Sequence, residues 1–192
     1  QMRVLKMRRT LRLPQGRFSK RRNKRFQMLS YLFVFGFLAL MVVLDQLIKY
    51  AIVVNLQPIL IYELIPGVFR LRYVENTGAI FGSFSGAVVI LTIFSSILVA
   101  VTLYLLLSKK ITSKYIFVCL LLMASGGAGN LFDRIRLGYV IDYFEPTFFE
   151  FAVFNFADCL ITVGAFMLIL YLVRDIISDS KKKKNGNEPT HE

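Results

Sequence analysis

Two carboxylates carry most of the chemistry this 192-residue chain could perform: Asp142 in "GYVIDYFEP" and Asp158 in "FNFADCL". Paired carboxylates in partly desolvated surroundings can share one proton, one acting as base on water and the other as acid toward a carbonyl. That is hydrolysis without a metal. Other chemistries fall away. The single histidine, His191, lies in a charged tail, which removes Ser-His and Cys-His nucleophile pairs and an H-E-x-x-H zinc motif. Cys159 stands beside Asp158 with no base in reach of its motif and reads as a small apolar filler. Neither it nor Cys119 belongs to a disulfide framework or a metal motif. "GGAGN" closes an apolar run where a phosphate loop would open a helix, and a metal site built on two aspartates would want further acidic ligands, of which none is evident. No metal and no cofactor are expected.

The elements that must position these acids are membrane helices. The chain is 56% hydrophobic, with a mean hydropathy of +0.58, too apolar for a soluble domain of this length. Four runs have the roughly 20 residues a bilayer crossing takes: about Leu29–Val54, Gly86–Ser108, Tyr115–Phe132 and Asn155–Val173. The expected fold class is a mainly α membrane protein. Residues 1–28 form a basic cytoplasmic tail, with no structure assigned to 1–27. Residues 29–177 hold the four spans, with connections at about 56–85 and 134–154, and 178–192 form a second basic tail. The first residue is Gln, and Met2, Met7 and Met28 each fit a natural start.

Of the net charge of +12, residues 1–28 contribute eleven Lys or Arg and no acid, and Lys109, Lys110, Lys114 and Lys181 to Lys184 add to it. Positive-inside bias puts both termini and the middle loop in the cytoplasm and the two long connections outside. Because the basic residues lie in tails, they read as topology and attraction to anionic lipid, with no nucleic acid as partner. In the first connection, Pro66-Gly67 marks a turn, after which Phe69, Leu71 and Tyr73 alternate with Arg70 and Arg72. This pattern reads as a β-hairpin. The second connection is dense in Tyr and Phe, which favour the membrane–water interface. A small β-rich element on the outer membrane surface is expected.

Depth then sorts the polar residues. Asp45 sits fifteen residues after Ser30, about 22 Å along an outward-running helix, and Lys49 lies one turn further on the same face. Asn130 and Arg134 stand near the outer end of the third span, Asn155 and Asp158 at the outer start of the fourth, and Asn76 and Asp142 in the outer connections. All converge on one leaflet boundary, and ionisable residues in spans are usually functional. Plainer readings compete one by one. Asp45 and Lys49 can simply neutralise each other, so Asp45→Ala should destabilise more than the double Asp45→Ala, Lys49→Ala change. Arg134 suits a helix C-terminus. Ser125 to Gly129 suit a close helix contact. Asn155 with Asp158 fits an N-cap with an acid at N3, where the helix dipole favours a charged Asp158. The shared proton of the pair is then expected mainly on Asp142.

Five motifs in order carry a resemblance over about Leu29 to Val173: "DQLIK" (Asp45–Lys49), "NTGAIF" (Asn76–Phe81), "GNLFDR" (Gly129–Arg134), "VIDY" (Val140–Tyr143) and "FNFAD" (Phe154–Asp158). The chain resembles the lipoprotein signal peptidase (signal peptidase II) family. The resemblance implies an aspartic endopeptidase of the bacterial cytoplasmic membrane, built from four transmembrane helices and an extracytoplasmic β-cradle. It would cut signal peptides from prolipoproteins just before the lipid-modified cysteine. The family's catalytic pair falls on Asp142 and Asp158. Its other polar or small motif positions fall on Asp45, Lys49, Asn76, Gly78, Asn130, Arg134, Asn155 and Ala157, with Arg134 and the asparagines expected to position substrate or steady the aspartates. The expected partners are prolipoproteins and membrane phospholipid, with the chain itself a monomer. Two departures stand out: Ile80 replaces the second Ala of "GAAF", and Ser125 and Gly127 replace Gly and Ala of "GGAxGN".

Two rivals come from other classes. An ion-coupled transporter or channel would need polar groups through the inner leaflet too, and the spans carry none there. A metal-dependent lipid-modifying enzyme would lose activity in chelator.

Overall fold

The structure is a computed structural model that describes residues 15–78, 87–108 and 110–185. Ile80, His191 and the first fourteen residues lie outside the described set. Among the described residues four helices and three strands follow in the order α1 (Gln15–Asn55), β1 (Ile61–Ile65), β2 (Phe69–Asn76), α2 (Ala87–Leu107), α3 (Lys114–Leu137), β3 (Val140–Pro146) and α4 (Phe156–Asn185). Residues 15–36 belong to a first unit and are helical. The helix therefore starts well inside the basic stretch to which no structure was assigned, since Arg and Lys are themselves good helix formers. The second unit, from Phe37, holds everything that follows.

All four helices are long and apolar enough to cross a membrane, over Met28–Asn55, Val88–Leu107, Lys114–Leu137 and Phe156–Ser178; the protein is a multi-pass membrane protein. In lipid every backbone group must be satisfied within its own segment, which a helix does. Stray hydroxyls follow the same rule: Thr92, Ser96 and Ser125 each donate to the carbonyl one turn back. Helix α3 is the central one, packed on α2, α4 and β3. Ser113 caps its N-terminus by accepting the Ile116 N–H. At its C-terminus Gly138 adopts a left-handed φ of 81° and donates to the Arg134 carbonyl, a conformation Gly takes without penalty. The helix thus runs on to Leu137, past the expected end at Phe132, because Arg134 and Arg136 in the last turn suit the helix dipole.

Small residues bring α3 and α4 together. A Cβ on Gly126 would collide with the Ala157 carbonyl oxygen and lie 2.9 Å from Ile161 Cγ1, whereas one on Gly127 would meet only the tip of Val99, also at 2.9 Å. Backbone cannot yield as a side-chain tip can. Gly126→Ala is therefore expected to cost about 1–3 kcal/mol, and Gly127→Ala clearly less. Thermal unfolding of both variants in detergent checks this; equal losses would count against the close approach.

The strands form one antiparallel sheet in the order β1-β2-β3. The β1–β2 hairpin turns at Pro66-Gly67, where Gly67 has φ 73°, as the alternation and turn residues predict. The third strand is the part not read from sequence. β3 pairs with β2 with Asn76 opposite Val140 and Val74 opposite Asp142, after a bulge between Leu71 and Val74. Leu56, Ile141 and Tyr143 form a core against the last turns of α1, with Ile48 and Ile52 packed on it. Since side chains alternate along a strand, Asp142 faces away from that core.

Candidate active site

Asp142 stands on β3 and Asp158 in the first turn of α4. Three asparagines join them, each with its amide orientation set by a donor to its carbonyl oxygen. Asn76 Oδ1 accepts the Gly78 N–H at 2.8 Å, which leaves its Nδ2 to donate to Asp142 Oδ2 at 2.8 Å. The left-handed φ of 76° at Gly78 makes that turn, and a Cβ there would strike Leu91. Asn155 Oδ1 accepts the Asp158 N–H at 2.9 Å, and its Nδ2 donates to Asp142 Oδ1 at 2.6 Å and to Asn130 Oδ1 at 3.0 Å. Asn130 Oδ1 also accepts from Lys49 Nζ at 3.2 Å, so its Nδ2 is directed to Asp158 Oδ1 at 2.7 Å.

The Asn155–Asp158 pair is a reciprocal capping box: Asp158 Oδ2 accepts the Asn155 N–H at 3.1 Å while Asn155 returns the bond. The cap and the functional acid are thus the same residue. Tyr143 adds a further tie between β3 and α4. Its hydroxyl accepts the Phe156 N–H at 3.1 Å, and both its N–H and that of Phe144 donate to the Phe154 carbonyl.

Asp142 is buried, at 1% exposure. Burial pushes its carboxyl up to about 6, against the Asn76 hydrogen bond; the Asp158 charge raises it further, while Asn155 and Lys49 oppose. A carboxyl with that affinity holds a proton in mildly acidic surroundings and can give it to a carbonyl oxygen. Asp158 is only partly buried and receives donors on both oxygens.

Behind the asparagines lies a buried ion cluster. Lys49 Nζ is 2.9 Å from Asp45 Oδ2, as the i, i+4 spacing predicts, but also 2.7 Å from Asp133 Oδ2. Gln46 Nε2 donates to Asp133 Oδ1 at 2.7 Å. Lys49 is therefore shared between two acids, which corrects the simple pair expected from sequence. Asp133 and Gln46 were not singled out there. The available signal was that Asp133 stands three residues after Asn130, on the same face of α3. Gly129 has room only for a hydrogen, since a Cβ would sit 2.7 Å from Asp45 Oδ2.

Of the residues expected at the site, Asp45, Lys49, Asn76, Gly78, Asn130, Asn155, Asp142 and Asp158 join one network. Ala157 contributes as the fully buried partner of Gly126 at the α3–α4 contact. Arg134 does not join. Among the described residues its side chain makes no hydrogen bond or ion pair with these aspartates or asparagines, although it stands four residues after Asn130 on α3. No group of three or more His, Cys, Asp or Glu able to hold a metal converges among the described residues.

The chain matches the family model described as "Signal peptidase (SPase) II" over residues 37–174. It is 37% identical over 132 residues to a lipoprotein signal peptidase of Streptococcus thermophilus, covering 69% of this chain and 86% of the relative. Against the lipoprotein signal peptidase of Enterococcus faecalis it is 36% identical over 148 residues, covering 77% and 91%. Two solved bacterial membrane enzyme structures share the fold. One has a TM-score of 0.66 at 25% identity, covering 83% of this chain and 93% of that one. The other has a TM-score of 0.67 at 26% identity, covering 74% and 93%.

Proposed function

The chain belongs to the signal peptidase II family, and we propose on that premise that Asp142 and Asp158 are its catalytic dyad, cutting prolipoproteins before a lipid-modified cysteine. As a member of that family it is an aspartic peptidase that removes signal peptides from prolipoproteins. The observation that carries the dyad is Asn155. One side chain donates to Asp142 at 2.6 Å and closes a capping box on Asp158, so two acids from separate elements are held as one unit.

In this reading Asp158 is the base on water and Asp142 the acid that polarises the scissile carbonyl. The proton on Asp142 passes to the carbonyl oxygen as water adds and Asp158 takes a proton from the water. As the tetrahedral intermediate collapses, Asp158 returns its proton to the departing amine and Asp142 recovers its own. The raised affinity of Asp142 supports this allocation. Both termini would be cytoplasmic and the site extracytoplasmic, at the end of the bundle that carries the sheet. A diacylglyceryl-anchored substrate would reach it laterally from the bilayer, with the enzyme acting as a monomer among membrane phospholipids. The exposed Ile61, Tyr62, Leu64 and Ile65 of β1 and Phe148, Phe149 and Phe151 suit contact with lipid at that level. The transporter reading finds no support.

The direct experiment is incubation of the purified protein with a diacylglyceryl-modified prolipoprotein, with and without chelator. Release of the signal peptide in both supports the proposal; no release, or release only without chelator, overturns it. A pH series adds a second expectation. The acid must be protonated, so kcat/KM of the free enzyme should fall as pH rises through Asp142's titration at about 6. The limb in kcat should lie higher, because bound substrate excludes water and further disfavours charge. Limbs at the same pH in both parameters would argue against this.

A further inference from the structure

We propose that Asp133 is a positioning residue of the peptidase site, holding Asp142 through the backbone of β3 and Asp158 through Lys49 and Asn130. The inference rests on the dyad reading above.

Asp133 is 1% exposed and all its bonds lead toward the site. Oδ2 accepts the N–H of Ile141 at 3.3 Å and the Lys49 ammonium at 2.7 Å; Oδ1 accepts from Gln46 at 2.7 Å. Ile141 immediately precedes Asp142. A carboxylate on α3 thus satisfies a buried backbone donor at the point where β3 presents the acid. Without it that donor would be buried and unpaired, or the strand would shift.

The second route runs through Lys49. An ammonium has three donors, and Lys49 has three acceptors within 3.2 Å: Asp45 Oδ2, Asp133 Oδ2 and Asn130 Oδ1. With two protons held by the carboxylates, the third is directed at Asn130 Oδ1. This fixes the Asn130 amide with its Nδ2 toward Asp158. Loss of Asp133 frees Lys49 to settle on Asp45, and Asn130 Oδ1 keeps only one of its two donors, Asn155 Nδ2 at 3.0 Å, to hold it away from Asp158. A flipped amide would then set an oxygen against a carboxylate.

A charge-neutralising role alone makes a different prediction from a positioning role. Asp133→Glu keeps the charge and moves the carboxylate by one methylene; Asp133→Asn keeps the shape and removes the charge. On the detergent-purified, folded fraction, cleavage of a diacylglyceryl-modified prolipoprotein should show kcat lowered at least about tenfold in both, since displacements near 1 Å can cost up to about a hundredfold. KM should stay within about threefold in both. The kcat pH profile of Asp133→Asn should move to lower pH, because a negative charge near the dyad is gone while Asp45 and Lys49 remain. Wild-type kcat in Asp133→Glu would overturn the proposal, leaving Asp133 a counter-charge only. If Asp133→Asn does not accumulate, Asp133→Glu decides. If neither does, Gln46→Leu, which removes the bond to Asp133 Oδ1 at 2.7 Å and a longer one to Asp45 Oδ2 at 3.3 Å and leaves every charge in place, decides in the same direction. Asp142→Asn run in parallel separates the two readings: turnover there would defeat the dyad, whatever Asp133 does.

Discussion

Asp142→Asn and Asp158→Asn are each expected to lower cleavage by at least about a thousandfold, within the range that a positioned acid or base contributes, while the protein still inserts and folds. The two effects have the same origin. In Asp142→Asn nothing can protonate the carbonyl oxygen; in Asp158→Asn nothing takes the proton from water. No other acid among the described residues bonds to the same asparagines. Stability should change far less. The amide oxygen introduced by Asp158→Asn can still accept the Asn155 N–H that closes the capping box. The one introduced by Asp142→Asn can still accept from one of the two asparagine donors, Asn76 or Asn155. Each variant turns one acceptor into a donor facing another donor, a loss of about 1–3 kcal/mol. Near-wild-type turnover in either purified variant would remove the dyad.

The largest stability effect is expected at Lys49. Lys49→Met leaves Asp45 and Asp133, both 1% exposed, with no counter-charge, and breaking a buried pair in this way costs about 3–5 kcal/mol. The order of the other variants reverses the expectation drawn from sequence. Asp45→Ala alone leaves Lys49 paired with Asp133, a neutral set. The double Asp45→Ala, Lys49→Ala change leaves Asp133 alone and should be the less stable of the two. Snorkelling of Lys49 outward does not soften this, because its ammonium is already saturated by three acceptors. Thermal unfolding of the three variants in one detergent tests the order. A double variant more stable than Asp45→Ala would mean that Asp133 has another partner, or none of consequence.

The sequence alone determined what depends on neighbours along the chain. The four apolar runs, the Pro66-Gly67 turn with its alternating strand, the Asp45–Lys49 turn of helix and the Asn155–Asp158 cap are all read from contacts within about four residues, where spacing dictates geometry. Tertiary structure decided what links distant segments. β3 joins β2 across the whole of α2 and α3, and nothing in "VIDYFEP" names its partner strand. Asp133 meets Gln46 across 87 positions and turns a two-residue ion pair into a three-residue cluster. Arg134, its neighbour, shares the motif but makes no bond to the aspartates or asparagines of the network among the described residues. In a helix successive side chains point about 100° apart, so nothing in "DR" says which of the two meets Gln46, Lys49 and the Ile141 N–H, and only the packing of α3 against α1 and β3 selects Asp133.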